Sequence, residues 1–372
     1  MGNTGGATMA KRLILLMAVL TLIAASCGGG GEDVTDAAAA CTAGEVDGDL
    51  SLYNWSDYME PSLITDFEDQ YDVSVIETFF DSNETMLAQV EAGGAVYDLV
   101  VPSDYMVSIM AENDLLVPLN KDALTNLGNL NPKFTGLPFD PDGEYSVPYQ
   151  WGTTGLGFSY DVVDSAEDLT WGLIFDPELS APLSGRISML NDERESLGAA
   201  LKYLGYSVNT TDEAEVNEAA DLLASARDRI ATFDSDAFDD LLVSGEVDLA
   251  HGYSGDFFVA FDENDVWDDY GYGIPIEGGV AWVDNMAIPV TAEHPCTALT
   301  FINFLLDAEN GAALTNYIYY ASPNQAAEAY IDPEILEDPA IYPPAEVEAR
   351  LEFIADVGDS TLYADAFARA KG

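Results

Sequence analysis

The sequence predicts an α/β protein built from two packed regions, and three observations carry that expectation. The chain has 372 residues, 48% of them hydrophobic, which is enough for two cores. Its first half alternates strand-like and helix-like segments in the order βαβαβ, the pattern of a parallel sheet with helices on its faces. A second α/β region opens at about residue 155.

The elements follow in chain order. Lys11 and Arg12 lead into the apolar run LILLMAVLTLIAAS, residues 13–26. That run is short for a membrane span and carries the basic flank of a secretory leader. It ends in LIAASCGGGG. Small residues before a lone cysteine resemble a bacterial lipoprotein box, although Ala24 stands where a larger aliphatic residue is usual. Residues 1–26 are therefore expected to be a lipoprotein signal peptide, with Cys27 as the lipidated first residue of the mature chain. A plain secreted leader is the alternative. Residues 27–48, rich in Gly, Ala and acids, read as a flexible tether. Cys41 and Cys296 remain, an even pair that can join outside the cytoplasm, although sequence does not show them to be neighbours.

DLSLYNW (49–55) reads as a strand, and EPSLITDFEDQY (60–71) as a helix with Leu63, Ile64 and Phe67 on one face and Pro61 near its start. VSVIETFF (73–80) is the second strand. DSNETMLAQVEAGG (81–94) is a helix with a capping-box-like start at Asp81 and Glu84 and a stop at Gly93-Gly94. YDLVVPS (97–103) is nearly all apolar, as a buried parallel strand should be, and 104–116 is the next helix. The second region holds GRISMLND (185–192), a helix over 193–205, an amphipathic segment over 211–230, and VDLAHGYSGDFFVAF (247–261). GYGIPIEGGVAWVDNMAIP (271–289), a helix over 296–317 and IYYASPNQAAEAY (318–330) complete it. Ligand-binding residues in such sheets gather at the carboxyl ends of strands. Trp55 to Tyr58 and Ser103 to Tyr105 occupy that position; the bland reading of the first is a turn in which Ser56 or Asp57 caps a helix.

Charge narrows the function. Sixty-seven acids stand against 12 bases, a formal net charge of −55. Such a surface repels nucleic acid and anionic lipid, so neither is expected as a partner of the folded part. With aromatics at 11% and acids spread throughout, the chain reads as folded and salt-adapted. Catalysis finds little support. The chain has two histidines, His251 and His294. HGYSGD (251–256) misses the spacing of a serine nucleophile elbow, which argues against a hydrolase. DPDG (140–143) reads as a turn and lacks the other calcium ligands. No cofactor or metal is expected, with ferric iron on the adjacent Tyr319 and Tyr320 kept as a rival.

The aromatic residues Trp55, Tyr58, Tyr105, Tyr253, Trp282 and Tyr320 and the acids Asp57, Asp192, Glu195, Asp256 and Asp284 fall at loop starts. A cleft lined by both kinds suits an aliphatic ammonium ligand: ring faces cover methylenes and attract cations, and carboxylates pair with ammonium groups. Singly, each of these residues is as readily core or solvated surface.

The combination is more specific. YNWSDYMEPSLITDFE, FFDSNETMLAQVEAGGAVYDLVVPSDY, YSVPYQWGTTGLGFSYD and GGVAWVDNMAIP resemble the bacterial polyamine-binding proteins of ABC importers, and DPAIYPPAEVEARL (338–351) resembles the putrescine-binding branch. The resemblance covers residues 49–370 in order. It implies a two-lobed periplasmic-binding-protein fold of the type II kind, with the ligand cleft between the lobes. Lobe 1 would be 49–152 and 284–322, and lobe 2 would be 153–283 and 323–372. By the same resemblance Trp55 and Tyr58 are cleft aromatics, Ser56 a hydroxyl partner and Asp57 an ammonium ligand. VPSDY supplies Ser103 and Tyr105, with Asp104 an extra acid. NDERES supplies Asp192 and Glu195. Tyr253 stands where the family commonly has Trp, and Asp256 matches an acid of the putrescine branch. Trp282, the central Asp284 and Tyr320 complete the wall, with Ser235 a minor polar contact. Ile354 falls where the spermidine branch uses a glutamine, a departure that leans the expectation toward putrescine. The implied protein is a monomeric, extracytoplasmic, lipid-anchored solute-binding component. It would capture putrescine or spermidine without chemistry and hand it to membrane permease subunits. Binding of another cationic amine or of ferric iron, or hydrolysis, is the alternative.

Overall fold

The computed structural model describes residues 1–2, 34–358 and 361–372. The apolar leader run and Cys27 lie outside the described residues. Among the described residues no helix is long and apolar enough to cross a membrane.

Local chemistry sets the first elements. β1 (Leu50–Trp55) buries Leu50 and Leu52. α2 (Pro61–Tyr71), which follows a short α1 (Val34–Ala40), starts with Pro61 at its first turn, and its cap is Glu60, whose carboxylate accepts the Leu63 N–H at 3.1 Å. Capping thus falls neither to Ser56 nor to Asp57. β2 (Val75–Phe80) leads to α3 (Asn83–Ala92), capped by Ser82 through the Thr85 N–H at 3.2 Å and closed by Gly93 at φ +60°. β3 is shorter than the apolar run suggests, only Leu99–Val100, because Pro102 has no N–H to pair and α4 (Asp104–Glu112) begins two residues later.

One sheet runs through the molecule in the order β2-β1-β3-β9-β4-β7-β5-β6. Its long members are β4 (Ser146–Ser159) and β9 (Val280–Ala287). β1 pairs in parallel with β2 and β3, and β5 (Ile187–Met189) pairs in parallel with β6 (Ile230–Phe233) and β7 (Leu249–Tyr253). The two parallel halves are joined by antiparallel strands. β4 pairs with β9 from Ser146↔Ala287 to Thr154↔Val280, then with β7 from Thr154↔Tyr253 to Phe158↔Leu249. A single strand therefore passes from one half into the other. β8 (Tyr270–Gly273) adds to β4 and β10 (Glu352–Phe353) to β9.

Three apolar clusters fill the layers, where composition suggested two. The first joins β1 and β3 to α2, α4 and α9 (Pro295–Leu305) through Leu52, Phe67, Met106 and Phe301. The second packs β5 and β7 against α5 (Glu193–Leu204), α6 (Glu213–Ala226) and α11 (Thr361–Lys371). The third lies around Trp151 and Val283, where the halves meet, and takes Phe238 from α7 (Phe238–Val243), Phe257 from α8 (Ser254–Asn264) and Ala312 from α10 (Ala308–Ile318). Truncating a fully buried phenylalanine such as Phe67 or Phe257 to Ala costs about 3–5 kcal/mol.

The expected tether needs correction over 34–48. Val34–Ala40 is helical, with Ala38 buried, and Cys41 is disulfide-bonded to Cys296 with Cα atoms 5.3 Å apart. Asp47 then accepts the Thr297 N–H at 3.0 Å at the start of α9. An alanine run favours helix over coil, and a cross-link and a helix-capping carboxylate dock the segment.

Candidate functional site

The loops at the carboxyl ends of β1, β3, β5 and β7 converge with β9 on one cavity of about 440 Å³. It is a slot between the two halves of the sheet. All fourteen residues expected at a ligand site line it. So do Glu77, Asn83, Asp104, Arg194, Asp239 and Ile354.

The apolar wall is an edge-on ring cluster centred on Trp282. Tyr320 lies 5.1 Å from it between centroids, Tyr253 6.0 Å and Tyr58 6.5 Å. Trp55 packs at 4.5 Å on Phe80 and donates its indole N–H to the Val101 carbonyl at 3.0 Å. Two glycines leave room for these rings. A Cβ on Gly152 would stand 2.7 Å from the Trp282 ring and 2.9 Å from Tyr320. A Cβ on Gly255 would stand 2.5 Å from Tyr320. Gly255, which directly follows Ser254 in HGYSGD, is thus there for close approach of a ring. Ser56 and Asp57 are the exposed members of the wall, and Asp57 turns the chain at φ +52°, a left-handed conformation that Asp tolerates better than most residues.

The acids are held in different ways. Asp284 on β9 is 5% exposed and accepts the Ser103 hydroxyl at 2.7 Å. Ser103 is itself held by Asn83, whose amide donates to its Oγ and accepts its N–H, both at 3.0 Å. Burial pushes the Asp284 carboxyl up to about 7, against the pull of the Ser103 and Tyr58 hydroxyls. Asp256 accepts the Tyr320 hydroxyl at 2.7 Å, and burial, with Asp239 next, drives its carboxyl well above the usual range. Glu195 is reached by Thr154, whose hydroxyl donates to Oε1 at 3.1 Å and accepts the Trp282 indole N–H at 3.2 Å. Burial and then Asp192 raise Glu195 as well. Asp192 is the N-cap of α5, its Oδ1 accepting the N–H groups of Arg194 at 2.8 Å and Glu195 at 2.9 Å. Asp192 thus lines the slot and also starts the helix. Tyr105 gives its hydroxyl proton to Glu84 at 3.0 Å, and Ser235 accepts the Asn191 N–H at 2.9 Å.

Asn83, Thr154 and Gly152 were not among the expected site residues. Each acts through a long-range partner, and only the crossing-strand segment QWGTT marks two of them. Arg194 is the one basic residue lining the slot among the described residues. Its Nη atoms are committed to the Ala355 carbonyl at 3.2 Å and to Asn209 at 3.0 Å. The slot is therefore a site of buried acids whose charged forms burial disfavours, with Arg194 the one cation among the described residues to offset them, a form suited to a ligand that brings cations.

The rival readings lose their geometry. Tyr319 turns away on a left-handed backbone and packs 5.9 Å from Trp267, while Tyr320 enters the slot, so the pair does not present two phenolates together. His251 is buried edge-on against Trp171, and burial lowers it to about 3, so it stays neutral; it forms no pair with Ser254.

Residues 62–343 match the family described as bacterial extracellular solute-binding proteins. The chain is 36% identical over 328 residues to the spermidine/putrescine-binding periplasmic protein of Escherichia coli K12, covering 87% of this chain and 91% of that one. It is 35% identical over 325 residues to the putrescine/cadaverine-binding protein of Pseudomonas aeruginosa PAO1, covering 86% and 91%. The crystal structure of the Tp0655 (TpPotD) lipoprotein of Treponema pallidum superposes with a TM-score of 0.75 at 32% identity, covering 87% of this chain and 99% of that one. With its two-lobed α/β fold and a slot between the lobes, the chain belongs to the bacterial extracellular solute-binding protein family.

Proposed function

We propose that this protein is the solute-binding component of an ABC importer and captures polyamines, putrescine or spermidine, outside the cytoplasm. One observation carries the reading: carboxyls of Asp284, Asp256 and Glu195, all raised by burial, share an aromatic slot in which Arg194 is the one basic side chain among the described residues. A diamine or triamine supplies ammonium groups to those acids and methylenes to the rings of Trp55, Tyr58, Tyr253, Trp282 and Tyr320. The capture step is binding and closure without covalent chemistry. Closing on an empty slot buries unpaired charge and is disfavoured; closing on a cationic ligand pairs it, so the ligand selects the closed form that a permease reads. Relatives that bind spermidine, putrescine and cadaverine support the ligand class.

In this reading lobe 1 comprises residues 49–152 and 284–322, and lobe 2 comprises 153–283 and 323–372. The protein acts as a monomer held to the membrane through lipid on Cys27. The Treponema neighbour, itself a lipoprotein, supports that anchor. Calorimetric titration with putrescine, cadaverine, spermidine, spermine and ferric iron tests the function. Saturable one-to-one binding of at least one amine, with none of iron, is expected. Failure of every amine to bind overturns the reading.

A further inference from the structure

Ser103 and Asp104 are consecutive and both line the slot, yet only Ser103 has its side chain fully engaged. Asp104, the first residue of α4, is 2% exposed. Its Oδ1 accepts the Tyr105 N–H at 2.7 Å. Its Oδ2 is buried and has no hydrogen-bond partner among the described residues. Glu195, from the first turn of α5 in the other half of the sheet, shows the same asymmetry. Thr154 serves its Oε1, and its Oε2 is buried without a partner. Each such oxygen carries the desolvation cost of an unmade hydrogen bond, larger still when the group is charged.

The one cation lining the slot among the described residues, Arg194, pulls both carboxyls down, and burial still outweighs it. Arg194 is nearby, but its Nη atoms are held by Ala355, Asn209 and Val208, and no lysine lines the slot. The groups that act on Asp104 are the Tyr105 N–H of its own helix, Asp284 and the Val283 N–H on β9, and Arg194 and Glu195 on α5. Burial is the largest influence and lifts the Asp104 carboxyl to about 8, with the Tyr105 N–H opposing it and Asp284 adding to it. Asp104 in turn raises Glu195. Asp104 therefore stands between the central acid and the α5 acids. The slot then has three acidic stations: Asp57 with Asp256, Asp284, and Asp104 with Glu195 and Asp192.

We propose that Asp104 is a further ligand-binding residue, whose free Oδ2, together with Oε2 of Glu195, receives the ammonium group by which a triamine exceeds a diamine. A diamine has two cations for three stations and leaves this one unserved; a triamine fills all three. Asp104 thus sets the preferred chain length toward spermidine, against the lean that Ile354 alone suggests. The proton that Asp104 carries in the free protein passes to solvent as the ammonium group takes its place. The inference rests on the polyamine reading above and adds to it the residue that decides ligand length.

Asp104→Asn keeps the volume and the acceptor for the Tyr105 N–H but removes the charge. Titrating wild type and D104N with putrescine and spermidine tests the assignment. The loss of one charge-assisted contact should weaken spermidine by roughly tenfold or more and move putrescine by less than about threefold. Equal losses for both amines, or no loss for either, overturn it. Wild type that binds neither amine removes the polyamine reading itself, a result distinct from the failure of Asp104. If D104N does not fold, wild type still answers. Calorimetry near neutral pH in buffers of different ionisation enthalpy should show more protons released with spermidine than with putrescine, and equal release overturns the proposal.

Discussion

Ser103 donates its hydroxyl proton to Asp284 across 2.7 Å, joining two segments 181 residues apart in the chain at the centre of the slot. The bond leaves Asp284 oriented but not neutralised, since Ser103 brings no charge and burial still holds the carboxyl near 7. Removing the acid should therefore cost a charge pair with the ligand. Asp284→Asn is expected to weaken polyamine binding by at least roughly thirtyfold, with thermal stability of the free protein unchanged or raised. Calorimetry with the best-bound amine checks it; an affinity equal to wild type refutes the central role of Asp284.

Gly152 offers a subtler perturbation. An added methyl meets the outer edge of the Trp282 ring at 2.7 Å and Cδ1 of the Tyr320 ring at 2.9 Å, so the rings must shift. Gly152→Ala should weaken binding by about tenfold at a stability cost of about 1–3 kcal/mol. Denaturant unfolding alongside titration separates the two effects. A variant with wild-type affinity would show that ring placement is not limiting.

The raised carboxyls dictate how stability responds to pH. Asp104 lies at about 8 and Asp284, Glu193 and Asp239 at about 7, all pushed up chiefly by burial. Unfolded carboxyls titrate near about 4, so between that value and about 8 the folded state holds more protons than the unfolded one. Stability of the ligand-free protein should therefore fall as pH rises from about 4 to about 8, apart from general charge effects. A saturating polyamine should reverse the trend for the acids it pairs. Melting temperatures across this range, with and without ligand, test it; a free protein that gains stability toward pH 8 contradicts it.

A formal charge of −55 sets the response to salt. Repulsion among exposed acids is screened within about 10 Å at 0.1 M salt and within about 3 Å at 1 M. The unfolding temperature should thus climb with potassium chloride well beyond physiological strength, as long as the chain's own bases stay few. A flat salt titration would remove the reading of the surface as salt-adapted.

Much of the slot was legible because strand ends are. The candidate residues of NWSDY, VPSDY, NDERES and GYSGD line it, since a βα unit delivers residues at the end of a strand to the same edge of the sheet, while Trp282 and Asp284 reach it from within β9. What escaped notice was whatever acts at a distance. Asn83 follows the Ser82 cap of its helix without a mark of its own, and only folding puts it beside Ser103. Thr154 carried no signal of its own, and only the pairing of β4 with β9 brings the Trp282 indole onto it. Composition misled over 34–48, because flexibility was read from Gly and Ala while the cysteine that docks the segment had its partner far downstream. The two tyrosines at 319 and 320 looked like a pair in sequence, but a left-handed turn at Tyr319 sends them apart.

The Cys41–Cys296 bridge has a consequence for how the protein is made. Cys41 is among the first residues of the folded part to be synthesised, and Cys296 follows 255 positions later. In an exported chain the bond cannot close until most of the protein has crossed the membrane. Until then Cys41 waits as a thiol on an unfinished domain.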